Sequence, residues 1–142
     1  MRPVFFVPMK LESTNAIYAG QRWGKRHKSA SAAHLEVKIA IMQSDLRKVR
    51  FTEQVDLTFV PQVGHGQQRL DCSNYSYVAK MVEDGLVRAK VLPGDGPEHV
   101  SGFEIVAPIR VWDEPPGMWV IIEPSTRAQA AHAKLPVQER KG

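Results

Sequence analysis

The 142-residue chain has an ordinary globular composition, with 43% hydrophobic and 8% aromatic residues and a formal net charge of +4. It has no apolar run near the roughly 20 residues of a membrane span, and Pro8 ends Val4–Val7 before it reaches signal-peptide length. The single cysteine, Cys72, excludes an internal disulfide and has no Cys or His neighbours for a zinc site. We expect one soluble, cytoplasmic domain.

Charge is distributed unevenly along the chain. Residues 1–50 hold ten Lys and Arg against three acids, whereas residues 51–142 hold nine against twelve. A basic first part can hold a polyanion and an acidic second part can collect a divalent cation, which a metal acting on phosphate requires. Plain solvated surface is the alternative interpretation of this pattern.

The first half of the chain predicts a strand, a loop and a helix. Val4–Val7 is a short apolar run typical of a buried strand, and Gln21–Lys28 is charged and aperiodic, which indicates an exposed loop. A helix of roughly 15 residues is predicted from Ser31 to near Lys48, with Ser29 or Ser31 as its cap. Its apolar stripe is expected to comprise Leu35, Val37, Ile39, Ile41 and Met42.

The alternating segment Val55–Val60 predicts a second strand, which Pro61 should end. A second helix is predicted from near Asn74 to about Arg88, with Asp71 or Ser73 as its cap. Its apolar face is expected to comprise Val78, Met81, Val82 and Leu86.

The last part of the chain predicts a tight loop at residues 91–97 and then a hairpin. The two hairpin strands are expected at Phe103–Trp112 and Trp119–Ile122. Residues 125–142 lack a sustained apolar face and are expected to form a weakly ordered tail after a domain of residues 1–124. The fold class predicted is α+β, with a mixed sheet of about four to five strands and two principal helices packed on one face.

The residues with the clearest chemical pattern lie between Arg69 and Val100. Asp71, Ser73 and Asn74 stand at the expected start of the second helix. Lys80 and Asp84 follow along it, and Asp95 lies in the next loop. Carboxylates that converge from a helix start and a loop suit Mg²⁺, which prefers hard oxygen ligands. The other interpretation is that Asp71 is a helix cap, Asp95 a turn residue and Lys80 a solvent-facing lysine.

In order and spacing, these residues resemble the RusA family of Holliday-junction resolvases. That family has an Asp-x-Asp-Asn motif at a helix start, a lysine along the helix, an Asp in an Asp-Gly-Leu-like turn and an Asp-Asp pair in the next loop. Ser13–Tyr18 is similar to the family's Ser-x-Asn-x-x-Tyr segment, so the resemblance covers residues 4–122. Ser73 stands where the family has its second motif aspartate, and Gly94 where it has the first member of the loop pair.

The resemblance implies a RusA-like fold and a homodimer that hydrolyses phosphodiesters in four-way or other branched DNA, and a phage or prophage type is expected. The cofactor would be Mg²⁺, with Mn²⁺ as a substitute. Asp71 and Asp95 would be metal ligands together with Ser73, and Lys80 would contact the phosphate as a third catalytic residue. Asn74 and Asp84 would support the site, while Glu83, Asp84 or Glu98 could compensate for the missing carboxylates.

A basic set is expected to contact DNA: Arg22, Lys25, Arg26, Lys28 and Arg69. Tyr18 or Trp23 could stack on an exposed base at a branch point. The scattered histidines, including His65 and His99, are interpreted as surface or loop residues. Two alternatives stay open. One is a catalytically weakened or inactive RusA-like protein that binds branched DNA without cutting it, and the other is a protein-interaction subunit.

Overall fold

The computed structural model of the protein describes residues 3–15 and 23–137, and the side chains of residues 23–26 lie outside that description. Regular elements in this part of the chain are β1 (Val4–Pro8), α1 (Trp23–Met42), β2 (Val55–Val63), α2 (Ser76–Arg88), β3 (Val100–Ile105), β4 (Ile109–Arg110), β5 (Gly117–Pro124) and α3 (Arg127–His132). Two 3₁₀ turns, Asp45–Lys48 and Cys72–Tyr75, precede β2 and α2. No helix of the described residues has the length and apolarity needed to cross a membrane.

The five strands form one mixed sheet in the order β1-β5-β2-β3, with β4 also paired to β2. β5 is antiparallel to both β1 and β2, whereas β3 and β4 are parallel to β2. Parallel neighbours need a crossover connection, and α2 provides it between β2 and β3. The predicted α+β class with a mixed sheet and two main helices is therefore confirmed.

The core lies between the sheet and the two long helices. α1 contributes Val37 and Ile41 to it, and α2 contributes Val78, Val82 and Leu86. The facing strand residues include Val7, Leu57, Phe59, Val120 and Ile122, all at least 95% buried. Because both helices bury their apolar faces here, the sheet and helix pair hold α2, and any site on it, in a fixed place.

α1 is longer at its start than the sequence predicts. It begins at Trp23, so the loop predicted at Gln21–Lys28 is wrong from Trp23 onward, and residues 21 and 22 lie outside the described residues. Ser29 and Ser31 are inside the helix, and the predicted cap is wrong; Ser29 Oγ instead donates to Glu12 Oε1 at 2.8 Å. Apolar periodicity marks only the part of a helix that packs on a partner, so a polar first turn leaves no such signal.

The end of α1 and its apolar face also differ from the prediction. The helix ends at Met42, and the segment up to Lys48 is a separate 3₁₀ turn. Leu35, Ile39 and Met42 are 56%, 39% and 60% exposed, whereas Val37 and Ile41 are buried. A shift of two residues turns a helical side chain by about 200°, so these residues form two stripes on opposite sides. Only the stripe with Val37 meets the core.

β2 continues through Pro61 to Val63, so the predicted end at Pro61 is wrong. Phe59 and Val63 accept from Val106 and Val111 N–H groups, which shows that the odd-numbered residues of β2 direct their backbone toward β3 and β4. On that side the pairing stops after Phe59 and resumes at Gln62. Pro61 therefore lies in the gap, where its missing N–H removes no ladder hydrogen bond.

The predicted hairpin is wrong. β3 and β5 do not pair with each other, because β2 lies between them and bonds to both. The turn-rich residues 113–116 connect β4 to β5 across the end of β2. They do not form a hairpin, because β4 and β5 pair with β2 and not with each other. Two consecutive strand signals indicate strands but not which strands pair.

The first residues of the predicted tail, 125–127, contact the sheet. The Asp56 carboxylate in β2 accepts the backbone N–H groups of Thr126 and Arg127 at 2.9 and 3.0 Å, at the start of α3. The Arg127 guanidinium donates to Leu57 O at 2.9 Å and lies 3.3 Å from Glu104 of β3. This part of the predicted tail is thus joined to two strands by side-chain hydrogen bonds and an ion pair.

Candidate functional site

Lys80 in α2 is the centre of a group of charged side chains. Its Nζ lies 2.7 Å from Glu83 Oε1, 3.3 Å from Asp84 Oδ1 and 2.7 Å from Asp95 Oδ2. Residues three and four positions apart share one side of a helix, so α2 alone brings Lys80, Glu83 and Asp84 together. We call Glu83, Asp84 and Asp95 the acidic cluster.

Asp95 reaches the cluster because the loop after α2 is fixed at both ends. Val91 and Leu92 are buried, and the Val91 N–H donates to Leu86 O at 3.0 Å. At the other end, the N–H groups of His99 and Val100 both donate to Gly96 O at 2.9 Å. The tight loop expected at residues 91–97 is present without regular structure, and it carries the Asp95 carboxylate back to α2.

The pKa shifts in the cluster follow from burial and from the shared lysine. Glu83 is 4% exposed, and burial raises its pKa even though the Lys80 ammonium works in the opposite direction. Desolvation alone would lower the pKa of Lys80, but hydrogen bonds to Asp95 and Glu83 outweigh it and hold the pKa well above its usual range. The hydrogen bond from Lys80 lowers the pKa of Asp95. Lys80 is therefore charged at neutral pH and partly neutralises the cluster.

The donor set of the acidic cluster fits a hard divalent cation. One oxygen from each carboxylate lies within 4.8 Å of the others, and within the described ranges no other three acid, His or Cys side chains do so. Mg²⁺ takes carboxylate oxygens and keeps several waters, so three such groups are sufficient. The Lys80 ammonium forms ion pairs with all three carboxylates and would have to move away from them, which its 46% exposed side chain allows.

The predicted ligands Asp71 and Ser73 lie at the 3₁₀ turn before α2 and are not members of the acidic cluster. Both are exposed near the 3₁₀ turn before α2, where Asp71 O accepts the Asn74 N–H at 2.9 Å. α2 begins at Ser76, and neither side chain caps it, so the predicted cap is wrong. Among the described residues no hydrogen bond or ion pair joins either side chain to Asp95. Asp71, Asp95 and Ser73 as a metal-ligand set therefore stay a prediction.

The start of α2 is stabilised by Thr14, from the segment that resembles the family's N-terminal motif. Thr14 Oγ1 accepts the Tyr77 N–H at 3.0 Å and donates to Asn74 O at 3.2 Å. A free N–H in the first helical turn normally takes such a partner from the residue just before the helix. The partner here comes from 63 positions away, which no local sequence pattern could indicate.

The predicted DNA contacts are described only in part. Arg22 and Tyr18 lie outside the described residues, as do the side chains of Trp23, Lys25 and Arg26. Lys28 is exposed on α1, and Arg69 is exposed between β2 and α2. His65 packs on Trp112 with ring centroids 4.7 Å apart, and His99 lies 3.6 Å from Glu98, in agreement with loop roles.

Sequence reasoning selected three of the four clustered residues, Lys80, Asp84 and Asp95, and named Glu83 only as a substitute. Glu83 is one of four polar or charged residues that are buried in the described part of the chain. A carboxylate on the side of α2 that also holds Val82 and Leu86 was the available signal, because acids are rarely buried without a partner. The comparison of this chain with models of protein families found no match, and the comparison with curated proteins found none either.

Proposed function

We propose that this protein is a metal-dependent endonuclease of RusA-like fold that hydrolyses phosphodiesters in Holliday junctions or related branched DNA. The observation that carries the proposal is the acidic cluster around Lys80, since Lys80, Asp84 and Asp95 all belong to the motif that resembles the resolvase family. As in that family, the active form is a homodimer, which offers two symmetric sites to the two strands of a junction.

In this proposal Glu83, Asp84 and Asp95 hold Mg²⁺ or Mn²⁺, with Asp71 as a further ligand from the 3₁₀ turn. The bound cation supplies Lewis-acid polarisation of the phosphate and a water of lowered pKa. Lys80 leaves the carboxylates and donates to a phosphate oxygen, where its charge stabilises the developing negative charge. Ser73 and Asn74 contribute neutral oxygens near the turn, so the site has fewer carboxylates than the family's pattern.

The second candidate function is the binding of branched DNA without cleavage. The observation that favours it is that Lys80 already forms ion pairs with all three carboxylates. Such a network holds the loop of residues 91–99 on α2 and is a complete structural role without a metal. Ser73 and Gly94, which replace two family carboxylates, agree with a scaffold that has lost its chemistry.

The test is incubation of the purified protein with a labelled synthetic four-way junction, with and without Mg²⁺, followed by denaturing electrophoresis. We expect cleavage only with Mg²⁺ or Mn²⁺, and we expect Asp95→Asn to reduce it at least about 100-fold because a ligand charge is lost. Junction binding in EDTA should survive, since the basic surface is unchanged. Glu53→Gln, an exposed acid outside the site, is the matched control and should cut normally.

Two further variants separate the ligand sets. If the acidic cluster holds the metal, Glu83→Gln should lose cleavage as Asp95→Asn does. If Asp71 and Asp95 are the ligands, as the resemblance implies, Asp71→Asn should lose it and Glu83→Gln should not. Salt-dependent junction binding by a wild type that cuts nothing would contradict the nuclease and leave the second candidate.

A further inference from the structure

A groove between the C-terminal halves of α1 and α2 carries four cations. It encloses about 450 Å³ and is lined by Lys38 from α1, Arg47 and Arg50 from the connection to β2, and Arg88 from the last turn of α2. No carboxylate of the described residues lines it. We call this the basic groove. Neither Lys28 nor Arg69, the predicted DNA contacts whose side chains are described, belongs to it.

The positive charge of the basic groove is largely uncompensated. Within the described ranges none of its four cations forms an ion pair, and Arg50 makes only a hydrogen bond to Val49 O at 2.9 Å. Both α1 and α2 end here, and each helix C-terminus is equivalent to about half a negative charge. These two ends offset about one of the four charges, so roughly three remain available to an anion.

Apolar side chains line the basic groove together with these cations. Leu35 and Met42 line the same groove and are 56% and 60% exposed. A lone phosphate or other small anion would use the cations and leave these side chains in water. A nucleic-acid strand alternates charged phosphates with the apolar faces of its sugars, so it matches both kinds of lining residue.

The basic groove also adjoins the acidic cluster. Arg88 of the groove and Asp84 of the cluster are four positions apart in α2, so their Cβ atoms are about 5–6 Å apart on one side of the helix. We propose that the basic groove binds the sugar–phosphate backbone of a nucleic-acid strand that continues toward the acidic cluster. The identity of that strand as branched DNA rests on the proposed function, whereas the phosphate chemistry rests on the groove itself.

The experiment measures the salt dependence of junction binding by fluorescence anisotropy in EDTA, where no cleavage occurs. Each phosphate contact contributes about 0.9 to the slope of log affinity against log salt, so Lys38→Gln/Arg47→Gln should lower the slope by about 1.8. Near 0.1 M salt the affinity should fall roughly 10- to 100-fold. Lys10→Gln/Lys134→Gln removes the same charge from exposed positions outside the groove and should leave the slope nearly unchanged.

Two more arms complete the design. Lys38→Arg/Arg47→Lys keeps both charges and should keep the slope, while thermal melting by circular dichroism checks that every variant folds. Equal slopes for the groove variant and the matched control would overturn the proposal. Binding of poly-L-glutamate as tight as that of DNA, with the same loss in the groove variant, would overturn the nucleic-acid assignment and indicate an acidic protein partner.

The outcomes separate this inference from the nuclease. A wild type that binds DNA with a steep salt slope in EDTA, loses it in the groove variant and never cuts with Mg²⁺ supports the groove and contradicts the nuclease. If the wild type cuts the junction and the groove variant keeps the salt slope of the wild type, the nuclease is supported and the groove proposal is contradicted.

Discussion

Asp56 is a buried charged residue in β2, and its hydrogen bonds show its structural role. It is 2% exposed and accepts hydrogen bonds from the Thr126 and Arg127 N–H groups and from the Ser101 hydroxyl. Burial alone would raise its pKa, but these donors outweigh burial and lower it. Alternation along Val55–Val60 predicts the strand but not the burial of Asp56, because the sequence does not reveal that α3 covers this side chain.

We expect Asp56→Asn to lower the free energy of unfolding by about 2 kcal/mol at pH 7, since hydrogen bonds to a charged acceptor are stronger than neutral ones. The folded-state pKa lies below the unfolded one, so the stabilisation is present above the unfolded pKa of about 3.9 and is lost as pH falls through the folded pKa. Urea unfolding at pH 7 and pH 3 should show the wild type and variant converging at the lower pH. Glu53→Gln is the exposed control, and a constant gap at both pH values would contradict the role of the charge.

Most residues of the acidic cluster and Lys80 can be selected from the sequence, but the contacts among them cannot. Lys80, Asp84 and Asp95 stand out by residue type and order, and the fold does bring them together. Glu83 completes the group because of its spacing from Lys80 and its burial. The contact between α2 and the Asp95 loop depends on Val91 and Leu92 entering the core, which is a tertiary effect.

The crossing of α1 and α2 depends on one glycine. A Cβ at Gly85 would lie 2.8 Å from Val37 Cβ and 2.9 Å from each Val37 methyl group. The resemblance placed Gly85 in an Asp-Gly-Leu turn, but it lies inside α2, where glycine costs about 1 kcal/mol relative to alanine. The lost helix propensity is tolerated because it lets the two helices approach closely.

Gly85→Ala should therefore destabilise the protein by about 1–3 kcal/mol, because overpacking against the stiff Val37 exceeds the gain in helix propensity. Val37→Ala alone leaves a cavity and should also destabilise. The double variant should be more stable than the sum of the two single effects predicts, since each change relieves the other. Urea unfolding of the four proteins gives the coupling energy, and additive effects would mean that this contact does not set the helix spacing.

Local sequence predicts the type of an element better than the face that the element buries. Strand and helix types were predictable from local periodicity, which α2 and β2 carry clearly. The buried side of α1 was not, because Leu35 and Val37 both begin acceptable apolar stripes and only the position of the sheet selects one. Its first turns carry charge and no apolar repeat, so their helical structure left no local signal.

At the scale of the whole molecule, composition and element order were sufficient for the α+β class but not for the strand order. The central position of β2 is the decisive feature, since β5, β3 and β4 all pair with it. No local sequence pattern distinguishes two strands of a hairpin from two strands that lie on either side of a third strand. The predicted boundary at residue 124 follows the end of apolar periodicity, whereas hydrogen bonds to the sheet continue to Arg127.

That boundary can be tested by shortening the chain. A chain ending at Pro124 lacks the Thr126 and Arg127 N–H groups, so the Asp56 carboxylate loses two donors, and Leu57 O loses the Arg127 guanidinium. We expect it to be about 3 kcal/mol less stable to urea than the full chain, because it loses two hydrogen bonds to a charged acceptor and the hydrogen bond to Leu57 O. A chain ending at Val137 keeps these contacts and is the matched control.

The truncated chain can also show whether the loss of stability comes from the contacts of Asp56 or only from the shorter chain. If the uncovered Asp56 charge causes the instability, adding Asp56→Asn to the chain that ends at Pro124 should cost less than the same change costs in the full chain, since the acceptor has already lost its donors. Equal costs in both backgrounds would mean that α3 does not act through Asp56. Unchanged stability of the chain ending at Pro124 would support the predicted domain of residues 1–124 followed by a dispensable tail.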